Sequence, residues 1–319
     1  MKRESEEESL PIGGYFELET PRGELPCEGG VAVNFGRGGL ELILRTRQYR
    51  KVWIPDYICP CVPAFLDAIG MPFSTYEIGA NLEPRELPPL AWNEAFLYVN
   101  YFGVKDDCCY ELEESRSNLI LDLTQAFYYR PLNADGFNST RKFFGVPDGG
   151  FAFGQGLSDD GLSVSHSFDQ CEALLRRADG DLAGGYAAFK RLDAAKASWR
   201  VAKMSRLTKC LLSGIDHVTA HQQRLMNFRY LHLLLGKANR LPIAAANLAG
   251  PLVYPYLVEN GAELKKRLIA EQVFCPTYWP GIAAPSAVIR NLTENLVCIP
   301  IDQRCSDSDI DRIVELVAG

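Results

Sequence analysis

The lysine in the run Ser139-Thr140-Arg141-Lys142-Phe143-Phe144-Gly145-Val146-Pro147-Asp148-Gly149-Gly150 is the side chain best suited to covalent chemistry. Its amine can condense with an aldehyde to a Schiff base only where it is held in place and can shed its proton. A partly buried strand end with apolar neighbours favours both, and Phe143 and Phe144 are candidates for the apolar wall. Ser-x-x-Lys also arises by chance, and a lone lysine is more often a solvated surface charge. Upstream, Asn118-Leu119-Ile120-Leu121-Asp122-Leu123-Thr124-Gln125-Ala126 is an apolar run ending in a carboxylate, and it reads as a buried parallel strand. In open α/β sheets ligands gather at the carboxyl ends of the strands, so Asp122 and Gln125 are expected to face that crevice. A carboxylate there can keep a pyridine nitrogen protonated, which pyridoxal phosphate (PLP) needs to act as an electron sink. Asp122 fits equally well as the cap of a following helix.

A third element is Val31-Ala32-Val33-Asn34-Phe35-Gly36-Arg37-Gly38-Gly39-Leu40-Glu41-Leu42-Ile43-Leu44, a glycine-rich turn running into an apolar segment of helical period. Glycines let backbone N–H groups approach a phosphate closely, and the helix N-terminus adds positive potential. Arg37 and the hydroxyls of Ser139 and Thr140 can add charge-assisted hydrogen bonds. The pattern is neither Gly-x-Gly-x-x-Gly nor a Walker loop, so its weight lies in the company of Asp122 and Lys142.

These residues need a sheet to bring them together. Strands are expected near Lys51–Pro55, Phe73–Ile78, Ala95–Phe102, Asn118–Asp122 and Phe151–Phe153, and helices at Leu40–Arg47 and Pro63–Ile69. Such alternation predicts an α/β fold with a mostly parallel sheet between helices. Helices from about Phe168 to Gly236 would complete a large domain spanning 12–241, and Leu241-Pro242 marks its end. A small α/β domain over 242–319 follows, its final helix capped by Ser306-Asp307-Ser308-Asp309. Residues 1–11 form a charged tail expected to be flexible.

The order of parts resembles the fold-type-I PLP enzymes: a glycine turn into a helix, strand-Asp-x-x-Gln, then Ser-x-x-Lys with paired glycines seven and eight positions after the lysine. More narrowly it resembles the DegT/DnrJ or StrS-type aminotransferases, which act on keto groups of nucleotide-linked sugars. Ile12-Gly13-Gly14-Tyr15-Phe16-Glu17-Leu18-Glu19 and Tyr98-Val99-Asn100-Tyr101-Phe102-Gly103 are similar to segments of that family. The likeness runs over roughly residues 12–155 and continues more loosely beyond Tyr254.

The resemblance implies that Lys142 is the Schiff-base lysine and proton shuttle, that Asp122 partners the pyridine nitrogen, and that Gln125 contacts the ring hydroxyl. It implies that Gly36, Arg37, Gly38 and Ser139, with Thr140 beside them, hold the phosphate. Tyr57 falls where the family places a side chain over the cofactor ring, although core packing is the commoner fate of Tyr57 and nearby Trp53. Asn100 stands where many members carry a histidine, and substrate contact is its implied role. The activity implied is transamination from glutamate or glutamine to a nucleotide-linked keto-sugar, by a cytoplasmic homodimer in polysaccharide biosynthesis. Other PLP chemistry, such as sugar dehydration or reaction on an amino acid, and a non-catalytic scaffold of the same fold are the competing readings.

The chain departs from the family between Gly156 and Arg240, which is shorter and lacks the usual asparagine- and arginine-rich pattern. That stretch often supplies dimer-partner contacts to the phosphate. Here it reads as helices with exposed charges, among them Lys203, Arg206, Lys209, Arg224 and Arg229, although Asn227 and Arg229 are possible substitutes. With 319 residues, 47% of them hydrophobic, the chain can bury a large core, and its net charge of -7 argues against a general nucleic-acid binder. It contains no apolar run of about twenty residues and no signal-like start, so neither membrane insertion nor secretion is expected. The ten cysteines, including Cys59-Pro60-Cys61 and Cys108-Cys109, lack zinc spacing and read as free thiols. His217 and His221 lack the glutamate of a His-Glu-x-x-His site, and no metal is expected.

Overall fold

The computed structural model describes residues 12–21, 23–195 and 199–319, so the expected tail at 1–11 lies outside the described residues. Seven strands form the main sheet: β1 (Val31–Val33), β2 (Lys51–Pro55), β3 (Phe73–Tyr76), β4 (Glu94–Val99), β5 (Leu119–Asp122), β6 (Asp135–Phe137) and β7 (Gly150–Phe153). Their spatial order is β1-β7-β6-β5-β4-β2-β3. β2 to β6 pair in parallel, with Val99 opposite Asp122 and Asp122 opposite Phe137, while β7 runs antiparallel to both β6 and β1. β5 is apolar along three of its four residues and buried throughout, as a strand covered on both faces must be.

Helices α1 (Gly36–Arg47), α2 (Cys61–Ala68) and α3 (Asp106–Ser115) connect the parallel strands. α1 packs its Leu40, Ile43 and Leu44 inward and lies close against the sheet; a Cβ on Gly39 would stand 2.9 Å from the Cβ of Phe137. Helices α4 (Glu172–Ala178), α5 (Leu182–Ala195), α6 (Arg206–Ser213) and α7 (His217–Leu235) follow. A second, antiparallel sheet of β8 (Val253–Leu257) and β9 (Leu296–Pro300) is flanked by α8 (Gly261–Ala270), α9 (Ala287–Asn295) and α10 (Asp307–Ala318). α10 begins in a capping box between Ser306 and Asp309, as its sequence predicts.

Several boundaries differ from the sequence expectation, each for a local reason. β4 stops at Val99 because Phe102 and Gly103 adopt left-handed backbone (φ 58° and 70°), and this turn sends the Phe102 N–H to Gln125 rather than to a neighbouring strand. β3 ends at Tyr76, and the N–H of Ile78 goes to Asp56 Oδ1. The short strands β1 and β6 were not expected, since three residues are too few for a periodic signal and β6 also contains an aspartate and a glycine. The middle region is not wholly helical. Residues 199–205 run along β1, where Asn34 N–H donates to Ala202 O (2.9 Å) and Lys203 bridges Val33. Arg224 and Asn227, expected on an exposed face, are both 2% exposed. Their side chains donate to backbone carbonyls of the later segments, Arg224 to Leu252 and Asn227 to Ile301 and Cys305.

Candidate functional site

The carboxyl ends of β4 and β5 open into a cavity of about 200 Å³ lined by Gly36, Arg37, Asp122, Thr124, Gln125, Ser139, Arg141 and Lys142 among others. Asp122 ends β5 with its carboxylate buried, one oxygen accepting the Thr124 N–H at 2.9 Å. Burial pushes its pKa above the ordinary carboxylate range, while the charge of Lys142 and hydrogen bonds from Thr124 pull the other way. The Lys142 amine lies 3.0 Å from Thr124 Oγ1. Thr124 thus joins the acid at the end of one strand to the amine of a later turn.

Gln125 is fully buried, and its two ends differ. Oε1 accepts the Phe102 N–H at 2.6 Å, which fixes the orientation of the amide, while Nε2 has no hydrogen-bond partner among the described residues. An unmet buried donor costs about 1–3 kcal/mol, and the residue that carries it is among those around the cavity.

The residues expected to hold an anion lie beside these groups. The first turn of α1 contains no acidic residue, and its N-cap, Phe35, makes no side-chain cap, so the helix end retains its positive potential. Gly36 is needed there, because a Cβ would come within 3.0 Å of the Thr124 methyl and 3.2 Å of Asn138 O. Arg37 reaches Cys61 O at 3.4 Å and packs over the rings of Phe35 and Phe65. Arg141 lies 3.8 Å from Asp193 of α5; burial lowers its pKa, opposed by Asp193 and Asp148.

Lys142 does not stand at a partly buried strand end. It lies exposed in a 3₁₀ turn, Thr140–Lys142, where Thr140 O accepts the N–H groups of both Phe143 (3.0 Å) and Phe144 (2.9 Å). That turn drives both phenylalanines into the core around Phe127, with ring centroids 5.5 and 5.0 Å away, so neither walls the amine. The turn is instead held from behind. Phe143 O accepts from Gln303 Nε2 at 2.9 Å and from Arg224 Nη2 at 3.4 Å, bonds that tie the lysine segment to residues far along the chain.

Of the residues singled out from sequence, Gly36, Arg37, Asp122, Gln125, Ser139 and Lys142 come together here, and Gly38, Tyr57, Asn100 and Thr140 lie outside the lining. Tyr57 is buried, its hydroxyl donating to Tyr278 O at 2.5 Å and its ring stacked on Tyr101, which makes core packing its observed fate. Asn100 braces the following turn, donating to Asp106 Oδ1 (2.6 Å) and accepting from the Lys105 N–H (3.1 Å). Thr140 uses its hydroxyl on Asp148 O at 3.0 Å, and Gly38 faces Asn34. Arg141, Thr124, Tyr278, Trp279 and the pair Cys59 and Cys61 line the cavity although sequence reasoning gave them no place in it. His217 and His221 each bond a backbone carbonyl, Leu212 O and Ala249 O, and among the described residues no cluster suited to a metal ion forms.

Chemically, this arrangement offers an exposed amine, a buried acid, an amide donor without a partner among the described residues and an uncapped helix N-terminus around one small cavity. No family model matches the sequence, and no curated protein matches it. Solved structures do. The sugar aminotransferase CalS13 of Micromonospora echinospora superposes with a TM-score of 0.62 at 16% identity over 90% of this chain and 86% of that one. A DegT DnrJ EryC1 StrS aminotransferase from Brucella abortus gives 0.59 at 16% identity, covering 92% and 86%. Spr1654 of Streptococcus pneumoniae in its PLP form gives 0.60 at 14%, covering 90% and 85%. At such identities the likeness defines the fold: this chain has the α/β fold of those proteins, a mostly parallel seven-stranded sheet with a smaller C-terminal α/β part.

Proposed function

We propose that the protein is a PLP-dependent aminotransferase that moves an amino group from an amino acid, such as glutamate or glutamine, to a nucleotide-linked keto-sugar. The observation that carries this reading is the unpartnered Gln125 amide in the same cavity wall as Asp122 and Lys142. That donor set suits a phosphorylated pyridine. Arg37, Arg141, Ser139 and the α1 N-terminus would hold the phosphate, Asp122 would keep the ring nitrogen protonated, and Gln125 Nε2 would donate to the ring oxygen. When bound, PLP supplies an aldehyde that condenses with amines and a ring that withdraws electrons from the adjoining carbon.

In this reading Lys142 Nζ, steadied by Thr124 Oγ1, removes the proton from the amino donor's α-carbon and returns it during amination of the acceptor. The Gln303 and Arg224 bonds to Phe143 O fix the reach of that amine. Tyr278 and Trp279 limit water in the cavity. An opening of about 630 Å³ that shares Ile58 with the cavity gives room for the bulk of a larger acceptor. A second copy of the chain would complete the site. Tyr186 and Phe189 are exposed on α5, the helix whose Asp193 lines the cavity, and they offer apolar surface to it. Among the described residues no helix is long and apolar enough to cross a membrane.

The test is product analysis with PLP, labelled glutamate or glutamine and keto-sugar nucleotides. Amino transfer releases one keto acid per amino-sugar formed. Turnover of a sugar or amino acid without that stoichiometry would mean a different PLP reaction, and bound PLP without any turnover would count against the proposal.

A further inference from the structure

We propose that Cys59 and Cys61 form a redox-active dithiol in the cavity wall, which a hydroperoxide closes reversibly to an intramolecular disulfide. Both residues line the cavity and both are partly exposed, whereas Cys27, Cys108, Cys109, Cys275 and Cys298 are buried. The intervening Pro60 is helical (φ −54°, ψ −19°), and the turn is closed by Val62 N–H donating to Cys59 O at 2.8 Å. This turn keeps the two thiols two positions apart on one cavity wall, with Cys61 the first residue of α2. The N-terminus of that helix, Lys142 and Arg37 place positive potential around Cys59.

The two thiols are therefore unequal. The hydrogen bond from Cys61 lowers the pKa of Cys59, with Lys142 and Arg37 acting in the same direction, and the reciprocal bond and burial raise that of Cys61. Such a pair has an attacking sulfur and a resolving one. The Cys59 thiolate attacks the terminal oxygen of the hydroperoxide, breaking the O–O bond, and becomes a sulfenic acid, while the departing hydroxide or alkoxide takes up the proton that Cys59 released on ionising and leaves as water or an alcohol. Cys61 sulfur then attacks Cys59 sulfur, its proton going to the departing hydroxide as water. The two thiols are oxidised by two electrons and the peroxide is reduced by two. The inference rests on the cavity and the thiols, and it holds whether or not PLP is the ligand.

The test treats the reduced full-length protein with hydrogen peroxide, alkylates the remaining thiols and maps peptides by mass without reduction. The expected result is that the peptide carrying residues 59–61 loses two hydrogens, resists alkylation and is restored by dithiothreitol. Cys61→Ser should stop at a sulfenic acid on Cys59 that dimedone traps, and Cys59→Ser should slow oxidation of Cys61 by at least about tenfold. Circular dichroism verifies that both serine variants are folded. Full alkylation of both thiols after peroxide treatment, or equal oxidation rates at the two positions in the serine variants, would overturn the proposal.

Discussion

The two ends of the main sheet present openings of opposite character. At the amino ends of β5 and β6 lies a space of about 860 Å³ with Arg47, Arg116 and Arg130 in its wall, against about 200 Å³ at the carboxyl ends. In the larger one the cations have internal partners. Arg47 forms a bidentate pair with Asp135 (2.6 and 2.7 Å), Arg116 donates twice to Pro88 O (3.1 Å), and Arg130 bonds Phe127 O and Tyr129 O (2.7 and 2.9 Å). The smaller one has a buried acid and an amine that share only Thr124 in the bonds described, and an amide nitrogen that has no hydrogen-bond partner among the described residues. The two openings therefore differ less in volume and positive charge than in unmet hydrogen-bonding capacity, which is what the proposed function assigns to the smaller one.

Substitutions at the two ends of the sheet should differ sharply in effect. Asp122→Asn should lower amino transfer by about a hundredfold, or ~2.7 kcal/mol in the barrier, because a neutral amide cannot hold the proton on the ring nitrogen. The same variant tests the electrostatics without cofactor. Burial raises the Asp122 pKa, so the folded protein retains that proton over a pH range in which the unfolded chain has lost it. Wild-type stability should fall as pH rises through that range, and the apo variant should melt higher than wild type at neutral pH. The gap should close below the usual carboxylate range. Equal melting curves at all pH values would mean that the carboxylate is not buried as described.

Gln125→Leu should have a smaller effect. It removes the acceptor of the Phe102 N–H, costing about 1–3 kcal/mol in stability by denaturant titration. It should also weaken PLP binding by about tenfold through loss of the Nε2 donor. Arg116→Ala at the opposite end should leave PLP binding and amino transfer within about twofold of wild type, since its guanidinium bonds Pro88 O and packs over Phe96, away from the smaller cavity. A large loss there would shift attention to the wrong-seeming end of the sheet.

What could be read from sequence divides along physical lines. β5 with Asp122 and α1 with its glycines were legible because an apolar run ending in a carboxylate and a glycine turn entering a helix are local patterns. The direction of side chains after a strand was not. Beyond Pro55 the chain leaves the regular pleat, so Tyr57 turns into the aromatic core while Ile58 and Cys59 face the cavity. The same limit misplaced Phe143 and Phe144, since a 3₁₀ turn has neither the strand's nor the α-helix's period. Tyr278, Trp279, Arg224 and Gln303 reach the site from more than eighty positions away from Lys142, and only tertiary packing brings them there. Arg141 was within sight in Ser139-Thr140-Arg141-Lys142, and its charge beside a suspected phosphate site was the available signal.

The most direct test is borohydride reduction of the PLP-treated protein followed by peptide mapping, with Lys142→Ala alongside. A visible absorption band that reduction converts to a stable adduct on Lys142, and that the variant lacks, is the predicted result. No band, or an adduct on another lysine, would contradict the assignment of this cavity as the cofactor site.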